Sequence, residues 1–97
     1  MTGIELITQE RKEQIEKHFK TIEHDARINI QHQLCDAATQ LAEWNKMLCI
    51  EAEDWIPIGW DVEAWRKMFN KPYKERLIIA GALIAAEIDR LQMGIDK

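Results

Sequence analysis

Two stretches of this chain carry apolar residues at helical spacing over several turns, and only one short segment between them resists a helix. Ile30, Leu34, Ala37, Ala38, Leu41, Trp44 and Leu48 follow the i, i+3, i+4 rhythm that puts apolar side chains on one helix face. Leu77 to Leu91 does the same in KERLIIAGALIAAEIDRLQ. With only four Gly and two Pro to interrupt the pattern, the expected fold is all-α: a small bundle of about four helices. The 97 residues form one domain, 1–97, near the size at which a single core is only just sufficient.

Local signals place the ends. Thr2 and Glu5 have the spacing of a capping box, in which each side chain satisfies the other residue's backbone N–H, so a first helix begins near Gly3. Ile4, Ile7, Ile15 and Phe19 can share its stripe; Gln9 to Gln14 is wholly polar, and the helix should end near Lys20, half-exposed. A second helix is expected over Ala26 to Ile50. In EAEDWIPIGW, Pro57 and Gly59 argue for a loop, because the residue before a proline is pushed towards extended backbone. Asp61 can cap a short third helix ending at Asn70 to Pro72, and a fourth runs from Tyr73 to Met93, stopped by Gly94.

The fourth helix is apolar around most of its circumference. Leu77, Ala80, Gly81, Ile84, Ile88 and Leu91 form one stripe, and Ile79, Leu83 and Ala86 cover another side. A chain this small seldom surrounds a helix completely, which makes a homo-oligomer the expectation, with Gly81 permitting close backbone approach. The alternative is a monomer whose first helix and central loop cover that face.

Composition narrows the partners. A net charge of −4 argues against duplex nucleic acid. Met1 to Thr8 has neither the basic nor the apolar region of a secretory signal. The run Leu77 to Ala86 is about half the length of a membrane span. A soluble, cytoplasmic protein with no membrane partner is expected. Cys35 and Cys49, fourteen residues apart in one expected helix, would stand roughly 21 Å from each other, too far for a disulfide.

The chemistry concentrates in WIPIGWDVEAWRKMFNKPYKER, Trp55 to Arg76. Aromatic rings beside fixed cations suit a flat, anionic, nucleotide-like molecule: stacking on a ring is worth about 1 to 3 kcal/mol per base, and Arg and Lys add charge-assisted bonds to phosphate. Arg66, Lys71, Lys74 and Arg76 are the candidate phosphate contacts; Trp55, Trp60 and Tyr73 are the candidate stacking rings. Against this, tryptophan is first a large core residue, and the acidic block Glu51, Glu53, Asp54, Asp61 and Glu63 can face the basic block Arg66, Lys67, Lys71, Lys74 and Arg76 or leave both in solvent.

Carboxylates offer a second possibility. Glu10, Glu13 and Glu16 recur every third residue of the first helix, and Glu87 and Asp89 lie near the end of the fourth. Facing carboxylates can hold Mg2+ on a triphosphate, as in the all-helical nucleoside triphosphate pyrophosphohydrolases of the MazG type. Those pair an E-x-x-E helix with an E-x-x-D helix, whereas Arg90 follows Glu87 here. Adjacent Glu23, His24 and Asp25 diverge on a helix and cannot converge on one ion alone. No catalytic residue, metal ligand or cofactor is assigned.

The order ELITQERKEQIEKH, EHD, a tryptophan-rich loop, Lys71-Pro72 and AGALIAAEIDRL resembles a family of small accessory proteins encoded by bacteriophages and prophages. The likeness covers most of the chain and is strongest from Ala80 to Ile88. It implies a protein acting inside an infected bacterial host cell and brings no catalytic motif. By analogy of class, small helical phage proteins that capture nucleotide second messengers point to an anti-defence sponge that binds a nucleotide-derived immune signal without turnover. The alternatives are a protein-binding inhibitor of a host enzyme and the Mg2+-dependent pyrophosphohydrolase.

Overall fold

The computed structural model describes residues 1–18, 32–43 and 56–92. Among them are four helices and no strand: α1 (Gly3–His18), α2 (Gln33–Ala42), α3 (Val62–Phe69) and α4 (Tyr73–Gln92). The all-α expectation holds, in the expected order.

The start signals work as chemistry requires. Thr2 N–H donates to Glu5 Oε1 at 2.8 Å and Glu5 N–H to Thr2 Oγ1 at 3.2 Å, so the capping box at α1 is closed. These bonds favour the ionised carboxylate and hold Glu5 below its usual pKa. Asp61 caps α3 by accepting from Ala64 N–H at 2.9 Å. Between Pro57 and Trp60 the chain reverses, with Trp60 N–H donating to Pro57 carbonyl at 3.1 Å. Gly59 sits at φ +81° in that turn, the left-handed backbone that a side chain disfavours.

Helix α4 is the axis of the bundle. Helix α2 packs along one side of it, α1 along another, and α3 meets both α2 and α4. The core unites Leu34, Ala37, Ala38 and Leu41 of α2 with Trp65 and Phe69 of α3 and with Ile79, Ala80, Leu83 and Ala86 of α4. Of the two apolar sides of α4, the core takes Ile79, Leu83 and Ala86 whole and only Ala80 from the other. Tyr73, Leu77, Ile84 and Ile88 remain 40 to 51% exposed. Gly81 does receive a close neighbour, but from within the chain: a Cβ there would lie 2.6 Å from Ile7 Cδ1.

Helix α1 departs from its expected stripe. Ile4 is 80% exposed, Ile7 and Ile15 are half-buried, and the polar residues Arg11 and Gln14 are buried instead. Arg11 reaches Asp89 on α4 at 3.3 Å. Phe19 lies outside the described residues.

Helix α2 is shorter than its periodicity suggests. It cannot run through His32, whose backbone is left-handed (φ 64°, ψ 28°), nor through Glu43, which is extended (φ −66°, ψ 115°). The reason at the C-terminal end lies on α4. Arg76 Nη1 donates to the carbonyls of Leu41 (3.0 Å) and Glu43 (2.6 Å), taking up groups that a continuing helix would use internally. At the other end, His32 Nδ1 lies 3.1 Å from Glu87 Oε2 and 3.3 Å from Arg90 Nη2, which ties the start of α2 to the end of α4. The expected extensions, 26–31 and 44–50, fall outside the described residues. So do Trp44, Cys49 and the Glu23-His24-Asp25 triplet, and the single helix on which the cysteine spacing rested is broken at Glu43. Cys35 is exposed.

Candidate functional site

A groove of about 850 Å³ opens between α1, the Pro57–Trp60 turn, α3 and α4. Its apolar lining comes from three elements: Leu6 of α1, Met68 of α3, and Ile78, Ile79 and Leu83 of α4. Trp60 forms part of the wall, half-buried and set edge-on against the fully buried Trp65, with ring centroids 6.1 Å apart and planes at 80°. Trp65 in turn packs on Phe69 at 5.8 Å. The Trp60 ring is therefore anchored from behind by the core.

The charged lining is unequal in sign. Glu10 and Glu13 of α1, Asp61 and Glu63 at the start of α3, and Glu75 of α4 face two cations, Lys67 and Lys71. Glu63 is offset by Arg66, whose Nη1 donates to it at 2.8 Å. Gln14 also lines the groove and is only 4% exposed; its amide N–H donates to Glu10 at 3.3 Å, while its Oε1 has no hydrogen-bond partner among the described residues. Glu10, Glu13 and Gln14 share one face of α1 with Leu6 because helix neighbours recur three and four residues apart.

The residues singled out in the sequence divide here. Trp60 and Lys71 line the groove. Arg66 lies on α3, engaged with Glu63. Arg76 is engaged within the fold: it is 4% exposed, and besides its two bonds to the end of α2 its Nε donates to Lys71 carbonyl at 3.1 Å. Releasing it to a ligand would leave those carbonyls without their donor. Tyr73 holds the Arg76 guanidinium 5.4 Å from its ring centroid, and it and Lys74 are exposed at the start of α4, outside the groove lining. Trp55 lies outside the described residues.

The two carboxylate sets also separate. Glu10 and Glu13 line the groove, whereas Glu87 is held by Arg90 Nε at 2.7 Å and by His32, and Asp89 by Arg11. Burial alone would raise the Glu87 carboxyl, but the bonds and charges of Arg90 and His32 outweigh it and hold it below the usual value. Arg90, the residue that breaks the E-x-x-D pattern, is fully buried and orders Glu87 within the fold. Among the described residues, no three His, Cys, Asp or Glu side chains gather closely enough to hold a metal.

Sequence reading missed Gln14, Lys67, Leu6 and Ile78 as sharing a groove with Trp60. Lys67 stood in the basic block, but the polar run Gln9 to Gln14 gave no hint that two of its members, Arg11 and Gln14, are buried. The signal available was spacing, since Leu6, Glu10, Glu13 and Gln14 are separated by four, three and one residues. No described helix is long and apolar enough to cross a membrane. Comparison with protein-family models, curated proteins and solved structures finds no match to this chain.

Proposed function

We propose that this chain is a capture protein that binds a segment of another protein in the groove between α1, α3 and α4 and holds it without turnover. The supporting observation is the groove itself, whose lining combines apolar side chains, a tryptophan fixed by the core behind it, and charged side chains. Grooves between helices that combine these features accept the apolar face of a partner helix. Together with the resemblance to phage accessory proteins, this reading makes the chain an inhibitor of a host protein in the infected cell.

The test uses Ala64, an exposed residue of the lining. Ala64→Trp fills the groove without removing a core contact. Peptides selected from a display library on the wild-type chain should bind the filled variant at least about tenfold more weakly, a loss near 1.4 kcal/mol. Equal binding of every selected peptide to both proteins refutes the reading.

Sequestration of a nucleotide-derived signal is the second reading, favoured by Trp60, Lys67 and Lys71 sharing the lining. It no longer draws on Arg76. Thermal unfolding against cyclic nucleotides and nucleoside triphosphates, with mass spectrometry of the recovered ligand, decides it: a ligand that stabilises and returns intact supports the sponge, and a cleaved one supports pyrophosphohydrolase activity. Self-association through Tyr73, Leu77, Ile84 and Ile88 is a separate part of the proposal. Sedimentation of a species twice the 11.4 kDa chain mass supports it, and a monomer at every concentration refutes it.

A further inference from the structure

We infer that the occupant of the groove is a basic amphipathic helix, with apolar residues on the face that enters and Lys or Arg on its flanks. This rests on the groove being the binding site and adds the partner's chemistry. The first argument is charge. Five carboxylates, from Glu10 to Glu75, stand against Lys67 and Lys71 in the described lining, and the excess stays negative after Arg66 offsets Glu63. A phosphate-rich ligand or an acidic segment meets net repulsion there, whereas a cationic one gains in encounter rate and orientation.

The second argument is independent of the charge count. Gln14 is buried with an amide oxygen that has no hydrogen-bond partner among the described residues, a condition that costs stability unless something supplies a donor. That oxygen is an acceptor beside two more acceptors, Glu10 and Glu13, on the same face of α1. Ammonium and guanidinium groups carry donors only. A Lys or Arg entering between Glu10 and Glu13 brings donors to a face of α1 that offers acceptors, next to a buried amide oxygen with no donor among the described residues.

The third argument is shape. The α1 lining runs from Leu6 to Gln14, about 12 Å at the helical rise, or roughly two turns. A partner helix laid along it presents residues at i, i+3, i+4 and i+7. Leu6, Ile78 and Met68, each half-buried, take the apolar positions while the carboxylates meet the flanks.

Two synthetic helical peptides with the same apolar face test this, one with Lys and Arg on its flanks and one with Glu, measured by fluorescence anisotropy. The basic peptide should bind the wild-type chain at least about tenfold more tightly than the acidic one and weaken as salt rises. Glu10→Lys/Glu13→Lys/Glu75→Lys should reverse the preference, and Ala64→Trp should weaken the basic peptide. If the triple variant does not fold, Glu75→Lys alone, at an exposed position, should still lower the preference.

Equal binding of both peptides, lost in Ala64→Trp, overturns this inference and leaves capture in the groove standing. Equal binding unaffected by Ala64→Trp overturns both. Absence of binding by the basic peptide overturns the inference, as does its full displacement by spermine, which would make a small polyamine the occupant.

Discussion

Replacing Arg76 by Ala should unfold this protein at a much lower temperature. The sequence alone suggests the opposite, a surface cation whose loss weakens a ligand and leaves stability unchanged. In the structure the guanidinium is 4% exposed and makes three hydrogen bonds, at 2.6, 3.0 and 3.1 Å, to the carbonyls of Glu43, Leu41 and Lys71. Hydrogen bonds to a charged group contribute about 1.5 to 3 kcal/mol each. The three share one group, and water can reach part of the Glu43 and Lys71 sites after truncation, so the full sum does not apply. A net loss of about 3 to 4 kcal/mol is expected, most of it from the buried Leu41 carbonyl left without a donor and from the lost side-chain packing. For a domain of this size each kcal/mol shifts the melting temperature by about 4 to 8 °C, so the transition should fall by roughly 15 to 25 °C.

Circular dichroism melts of Arg76→Ala, Arg76→Lys and Lys74→Ala provide the measurement. Arg76→Lys should fall between the other two, because a single ammonium cannot reproduce a planar fork aimed at carbonyls of two different segments. Lys74, exposed on the same helix, should change stability by less than about 0.5 kcal/mol. If Arg76→Ala melts within about 3 °C of the wild type, less than one kcal/mol on this scale, the guanidinium does not anchor the end of α2.

Further outcomes follow from named contacts. Asp61→Ala should cost about 1 kcal/mol by removing the α3 cap, readable as a lower urea midpoint, with Asp61→Asn nearly neutral. Gly81→Ala gains about 1 kcal/mol of helix propensity but meets Ile7 Cδ1 at 2.6 Å, so it should destabilise the wild type and become favourable relative to Gly81 only in an Ile7→Ala background; a double-mutant cycle of melting temperatures gives the sign. Glu87 has a folded-state pKa below its unfolded value, so its ionised form contributes stability that is present above the unfolded pKa and lost as pH falls through the folded one. The stability gap between wild type and Glu87→Gln should therefore be largest near neutrality and close below the ordinary carboxylate range; a gap that widens in acid would contradict the bonding of Glu87 to Arg90 and His32.

Much of the fold was legible because its signals are local. The capping box at Thr2 and Glu5, the cap at Asp61, the proline and glycine of the Pro57–Trp60 turn and the apolar rhythm of α4 each act within a few residues. Backbone hydrogen bonding and helical spacing decide them wherever the chain goes next. These features determined an all-α bundle and placed the described helix starts at α1, α3 and α4.

What sequence could not determine is which side of each helix faces the others. Periodicity assigned two apolar sides to α4 but could not choose between them; packing against α2 and α3 put Ile79, Leu83 and Ala86 inside and left Leu77, Ile84 and Ile88 out. The ends of α2 were set by residues far along the chain, since His32 and the Leu41 and Glu43 carbonyls find their partners on α4. Arg76 and Lys71 look alike in a basic run, yet one is buried against backbone carbonyls and the other lines a groove, because a charge acquires its role from the groups brought within a few ångströms of it. Only the tertiary structure brings Gln14, Glu10 and Glu13 up to Trp60 and Lys67, and with them the net negative lining from which the partner's chemistry is inferred.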